Sequence, residues 1–196
     1  MAASLKGKKI AIIAADMVER VELVEPRKAL EEAGATTELI SMKAGEIDAF
    51  NHFDKADTQK VDKAIGDADA SDYDGLLIPG GVGNPDQMRG DKRMVAFTRA
   101  FFDQGKPVAV ICHGPWMLVE ADVVHGLTLT SWPSLQTDIR NAGGHWVDEE
   151  VHTDDGIVTS RKPADLPAFC SKMVEEFAEG RHERRNARAT AGSGSV

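Results

Sequence analysis

The sequence is poor in the features that mark several classes of protein. It holds two cysteines, Cys112 and Cys170, in 196 residues, which are too few for a secreted fold held together by disulfides. No apolar run approaches the roughly 20 residues that a membrane-spanning helix needs. The apolar stretch after Lys6, Lys8 and Lys9 is also too short for a signal peptide. These absences predict a cytoplasmic protein with free thiols.

Acidic residues outnumber basic ones, 32 to 23, which gives a formal net charge of −9 and a sequence pI near 5.1. An acidic surface repels phosphate backbones, so nucleic-acid binding is disfavoured. The segment 181–196 is the exception, because it is rich in Arg and ends in AGSGSV. We interpret it as a solvated basic tail that follows a single domain over residues 1–180.

Ligand-binding signatures are missing too. The sequence has no C-x-x-C or H-x-x-x-H spacing for a metal and no G-x-G-x-x-G for a dinucleotide. No metal and no cofactor are therefore predicted.

The apolar residues that are present alternate between short continuous runs and helical patterns. Three segments are typical of buried strands: KKIAIIAA (8–15), TTELISM (36–42) and YDGLLIPGG (73–81), the last ending in Pro-Gly-Gly. Residues 43–73 are polar and less regular, and we expect a short hairpin near 47–53 and a helix near 58–66. This alternation predicts an α/β fold: a flavodoxin-like, doubly wound sandwich with a mostly parallel sheet and helices on both faces. Its site should lie beyond the carboxyl ends of the strands.

The strongest functional signal is VAVICHGPWML, in which a buried strand runs directly into Cys112-His113-Gly114-Pro115 and then a helix. A turn this tight matches the nucleophile elbow of α/β-hydrolases, with cysteine in place of serine. A helix N-terminus there would lower the thiol pKa. We predict Cys112 as a nucleophile and His113 as a proton carrier. Cys170 lies at an apolar helical position and is interpreted as core.

Together with E-R-V-E-L, P-G-G, T-S-W-P and N-A-G-G-H-W-V-D, this motif resembles the PfpI branch of the ThiJ/PfpI superfamily. The resemblance implies that Glu19 hydrogen-bonds Cys112 and holds a proton beside the thiolate. It also implies an oxyanion pocket at Gly80 and Gly81, with the N–H of His113. Asp86 corresponds to an acidic residue that meets the histidine of a neighbouring subunit, although this branch usually has Glu there.

The resemblance implies a cysteine-dependent enzyme that protects against reactive carbonyls. The expected substrate is an α-oxoaldehyde such as methylglyoxal (glyoxalase activity) or a glycated amine or thiol (deglycase activity). Two alternatives stay open: an intracellular cysteine peptidase, and a stress sensor or chaperone that works through oxidation of Cys112. A homodimer is expected, with a hexamer as the larger option.

Overall fold

The computed structural model describes residues 3–183, so residues 184–196 of the predicted basic tail lie outside it. Its strands are β1 (Lys9–Ile13), β2 (Val18–Glu19), β3 (Thr36–Ser41), β4 (Gly45–Asn51), β5 (Asp54–Val61), β6 (Lys63–Ala64), β7 (Gly75–Ile78), β8 (Val108–Ile111), β9 (Thr128–Leu129), β10 (His145–Trp146), β11 (Val151–Asp154) and β12 (Ile157–Ser160). Its α-helices are α1 (Arg20–Glu32), α2 (Gly83–Arg89), α3 (Lys92–Asp103), α4 (Trp116–Glu120), α5 (Gln136–Asn141) and α6 (Leu166–Glu179).

Seven strands form the central sheet, in the order β11-β12-β8-β7-β1-β3-β6. All neighbours in it are parallel except β11 and β12, which form an antiparallel hairpin that turns at Asp155 and Gly156. The central strands β1, β7 and β8 are almost wholly buried. Such continuous burial explains why these segments read as unbroken apolar runs.

Helices cover both faces of this sheet, as predicted. Residues that alternate along each strand point to opposite faces, and two apolar cores result. One core receives side chains from α1 and α6, including Leu23, Leu30, Phe169 and Phe177. The other receives side chains from α2 to α5, including Met88, Phe101, Leu118 and Ile139. The mostly parallel α/β sandwich is therefore confirmed.

The polar segment after β3 differs from its prediction. β4 and β5 form a longer antiparallel hairpin over 45–61, and the helix expected near 58–66 is wrong, with a single 3-10 turn at Ile65–Asp67. β5 reads DKADTQKV and is mostly exposed, so it has no apolar alternation to reveal it.

The strand order brings three loops to one edge. β8, β7 and β1 are adjacent, and their carboxyl ends lead into Cys112, Pro79-Gly80-Gly81 and residues 14–19. Among the described residues, no helix is both long and apolar enough to span a bilayer.

Candidate active site

Cys112 occupies the elbow that the sequence predicts. It follows β8 directly and has a φ of +64°, a left-handed conformation that non-glycine residues rarely adopt. Its N–H donates to the Ser160 carbonyl at 3.0 Å, and its carbonyl accepts the N–H of Trp132 at 2.9 Å. A Cβ at Gly114 would lie 2.8 Å from Val110 Cγ1, so glycine is required where the chain turns back over the strand. The turn is therefore held from both sides, and Cys112 is 6% exposed.

The carboxyl group beside the sulfur belongs to Glu22, and the assignment of that position to Glu19 is wrong. Glu22 lies in the first turn of α1, is fully buried and hydrogen-bonds Cys112. Its Oε2 also accepts the N–H of Gly80 at 2.9 Å, whereas Oε1 is buried without a hydrogen-bond partner. Both acids fall at the start of α1 in the sequence, so the pattern alone does not distinguish them.

Glu19 faces a different element. It belongs to the two-residue strand β2, which pairs with β4, and its Oε2 accepts the N–H of His52 at 2.9 Å. The His52 ring lies 3.6 Å away and is mostly exposed. Glu19 itself is 7% exposed. It does not hydrogen-bond the sulfur but acts on Glu22 through its charge.

The two glycines of the Pro-Gly-Gly loop have separate roles. The N–H of Gly81, with that of His113, donates to the Cys112 sulfur. The N–H of Gly80 is taken by Glu22, so Gly80 does not contribute to an oxyanion pocket as predicted. A Cβ at Gly80 would lie 2.4 Å from Glu22 Oε2 and 3.0 Å from Cys112 Sγ. The loop can approach the Cys112–Glu22 pair this closely because Gly80 has no side chain.

His113 contacts the sulfur directly, with Nδ1 3.2 Å from Sγ. Its ring stacks on Trp132 with centroids 5.6 Å apart at 23° and packs against Trp116 at 5.4 Å and 60°. Burial in this aromatic setting lowers the His113 pKa to about 4. The imidazole is therefore neutral at physiological pH and can accept a proton.

Cys112 and Glu22 form a coupled pair. Burial, followed by the charge of Glu19, raises the Glu22 pKa to about 8. Burial, followed by the charge of Glu22, raises the Cys112 pKa. The hydrogen bonds that Gly81 and His113 donate to the sulfur lower it, but by less. The prediction of a low thiol pKa is therefore wrong for Cys112. Coupled acids titrate as a unit, so the pair loses its first proton near pH 8. Above that pH, Cys112 and Glu22 share the remaining proton.

The helix that follows the elbow, α4, is short, which limits the electric field that its N-terminus can exert on the Cys112 thiol. It begins at Trp116, four positions after the cysteine, and has 5 residues. Helix dipoles act mainly within the terminal turn and grow with aligned peptides. The contacts that lower the Cys112 pKa are the two N–H groups of Gly81 and His113.

Asn84 is a positioning residue that the sequence analysis missed. It is fully buried, and its Oδ1 accepts the N–H of Ala15 at 2.7 Å. Its Nδ2 donates to the carbonyls of Pro79 and Gly80 at 2.9 and 3.0 Å. Asn84 thereby joins the loop after β1 to the loop after β7. The sequence signal that could have revealed this residue is an asparagine two positions after the P-G-G-V segment.

Asp86 lies on α2 and is exposed. Its expected partner, the histidine of a second subunit, is not part of a single chain, so that contact stays a prediction.

Comparison with known proteins agrees with this geometry. The model of the DJ-1/PfpI family matches residues 8–176. The Bacillus subtilis protein named "Putative cysteine protease YraA" is 46% identical over 163 residues, which are 83% of this chain and 94% of that protein. The Escherichia coli "Protein/nucleic acid deglycase 2" is 42% identical over 164 residues, with the same coverage of 83% and 94%.

Solved structures show the same fold. Drosophila melanogaster DJ-1beta aligns with a TM-score of 0.78 at 26% identity, covering 91% of each chain. With the family model matched over nearly the whole described chain, and with relatives above 40% identity, this protein belongs to the DJ-1/PfpI family.

Proposed function

We propose that the protein is a cysteine-dependent enzyme that removes reactive carbonyls, acting on α-oxoaldehydes such as methylglyoxal or on the adducts they form with amines and thiols. The observation that carries the proposal is the sulfur of Cys112 held between a proton-bearing Glu22 and a neutral His113. The similarity to a deglycase of Escherichia coli supports the same class of substrate.

The first step is addition of the sulfur to the aldehyde. In the singly protonated pair, the thiol of Cys112 passes its proton to Glu22 as the sulfur attacks, and the N–H groups of Gly81 and His113 stabilise the negative charge that develops on the sulfur. A carbon–sulfur bond forms as the carbonyl electron pair moves to oxygen. That oxygen takes the proton of Glu22, which gives a neutral hemithioacetal and leaves a carboxylate.

His113 then moves a proton between the two substrate carbons. Its neutral imidazole removes the hydrogen of the former aldehyde carbon and returns it to the neighbouring carbon, while the carboxylate of Glu22 carries the hydroxyl proton from the first oxygen to the second. The product is a thioester of a 2-hydroxy acid. Water hydrolyses the carbon–sulfur bond, which releases lactate from methylglyoxal and regenerates the sulfur. The net reaction adds one water and requires no external oxidant or reductant.

A peptidase would use the same sulfur on an amide, but the burial of Cys112 disfavours it. Cys112 is 6% exposed and lies beside the Pro-Gly-Gly loop, so its sulfur accepts a two- or three-carbon aldehyde more readily than an extended peptide. The chemistry also requires a reduced thiol, which fits a cytoplasmic protein.

The test is lactate formation from methylglyoxal by freshly reduced protein. We expect turnover by the unsubstituted protein and by Cys170→Ala, and none by Cys112→Ala. Lactate formation that survives in Cys112→Ala would contradict the proposal. Absence of turnover in all three, with cleavage of unfolded casein by the unsubstituted protein alone, would favour the peptidase.

A further inference from the structure

A second cluster of ligating side chains lies far along the chain from Cys112. Glu176 and Glu179 are on the last turns of α6, and His182 follows the helix. One atom from each, two carboxylate oxygens and an imidazole nitrogen, lie within 4.8 Å of one another. The spacing E-x-x-E-x-x-H differs from the metal motifs sought in the sequence.

The segment carrying His182 is fixed in place before any ion binds. The N–H of His182 donates to the Gly105 carbonyl at 2.8 Å. Its ring packs on the β11–β12 turn, where a Cβ at Gly156 would lie 2.5 Å from it. The position of the imidazole is therefore set by its contacts with the backbone of two other loops.

Two polar groups of this cluster are buried against each other. Nε2 of His182 is inaccessible to water and has no aligned hydrogen bond within the described residues, and its close partner there is Glu176 Oε1, at the ion-pair distance of 2.8 Å. Glu176 is 5% exposed, and its burial disfavours an uncompensated negative charge. Two ligands at bond lengths near 2.0–2.2 Å on a tetrahedral ion lie about 3.4 Å apart, so the two side chains must separate by about 0.6 Å when an ion enters.

We propose that Glu176, Glu179 and His182 bind a divalent transition-metal ion of the Zn²⁺ class. An imidazole with two carboxylates favours such ions over Mg²⁺ and Ca²⁺, which prefer all-oxygen sites. Glu179 is exposed, so solvent supplies the remaining position. The ion joins the end of α6 to the loops at Gly105 and Gly156, and its role is to stabilise the fold.

Binding is measured by isothermal titration of Zn²⁺ into the Cys112→Ser protein, which removes the reactive thiol as a competing ligand. We expect one site per chain and no comparable binding of Mg²⁺. Glu179→Gln and His182→Asn should each weaken Zn²⁺ binding at least ~10-fold, because even the loss of an outer-shell partner costs that much. Glu175→Gln is the matched control, since Glu175 is exposed on the same turn and pairs with Lys172, and it should bind normally.

Thermal unfolding gives a second readout. At Zn²⁺ about 100-fold above Kd, the Tm should rise by about 5 °C or more, and Glu179→Gln should abolish the rise. Zn²⁺ affinity that stays within twofold in both ligand variants, or the absence of binding by a folded protein, would overturn the site and leave an ion pair between His182 and Glu176.

Discussion

Around the sulfur of Cys112, the positions of single atoms decide where the negative charge resides. Two backbone N–H groups face the sulfur, whereas Glu22 has one hydrogen bond from Gly80 and one from the thiol. Glu19 adds a second negative charge near Glu22. Each member of the singly protonated pair therefore has two hydrogen-bond donors, and the remaining proton is shared between the sulfur and Glu22.

Glu22→Gln should lower turnover of methylglyoxal by about 10²–10⁴-fold, because the amide keeps the shape but cannot give up a proton to the new oxyanion. The measurement is kcat for lactate formation, with circular dichroism to confirm folding. Glu25→Gln, on the exposed side of the same helix, is the matched control. Equal activity of Glu22→Gln and the control would remove Glu22 from the mechanism.

Cys112 was predictable and Glu22 was not, for a physical reason. A polar C-H-G-P turn directly after a buried strand indicates an elbow without any knowledge of neighbours. The carboxyl partner comes from α1, more than eighty residues away, and its identity depends on the rotation of that helix about its axis. Because β2 ends at Glu19 and α1 begins at Arg20, Glu22 lies on the face of α1 that points toward the Cys112 sulfur.

At the scale of elements, the site depends on the connection between the ends of β1 and β7. Asn84 makes this connection through three hydrogen bonds to backbone groups of the two loops. Asn84→Ala leaves the N–H of Ala15 and the carbonyls of Pro79 and Gly80 without their partner.

We expect Asn84→Ala to lose about 2–4 kcal/mol of unfolding free energy, since buried polar groups left unpaired cost about 1–3 kcal/mol each. Urea denaturation measures the loss, and Asn141→Ala, at an exposed position, is the control. A loss no larger than that of the control would show that Asn84 does not hold the two loops together.

The elements differ in how far the sequence reveals them. β1, β7 and β8 are buried on both faces, so their apolar runs are unambiguous. β5 and α2 carry mostly polar residues, and their structure follows from pairing with β4 and from the anchored Pro-Gly-Gly loop. Structure that is fixed by such tertiary contacts produces no regular pattern of apolar residues in the local sequence.

For the whole molecule, the apolar side chains around the site favour assembly. Met17, Val82 and Trp132 are 41%, 46% and 38% exposed, and each belongs to a loop of the site. A second copy of the chain that covers them would also bring Asp86 of one subunit toward His113 of the other, as the family resemblance implies.

Sedimentation velocity should therefore show a dimer or a hexamer. Val82→Asp should shift the protein toward monomer, because a buried charge in an interface is costly. In an assembled protein, Asp86→Asn should lower turnover severalfold without changing the assembly. A monomer at all concentrations would contradict the intersubunit contact.

The most direct test of the shared proton is the pH dependence of kcat/KM for lactate formation by the unsubstituted protein and by Glu19→Gln. Activity should rise with pH through a midpoint near 8, where the Cys112–Glu22 pair loses its first proton. Glu19→Gln removes a negative charge that raises the Glu22 pKa, so its midpoint should fall and its activity at pH 6–7 should increase. A profile that is flat, declines through pH 8, or keeps its midpoint in Glu19→Gln would contradict the account.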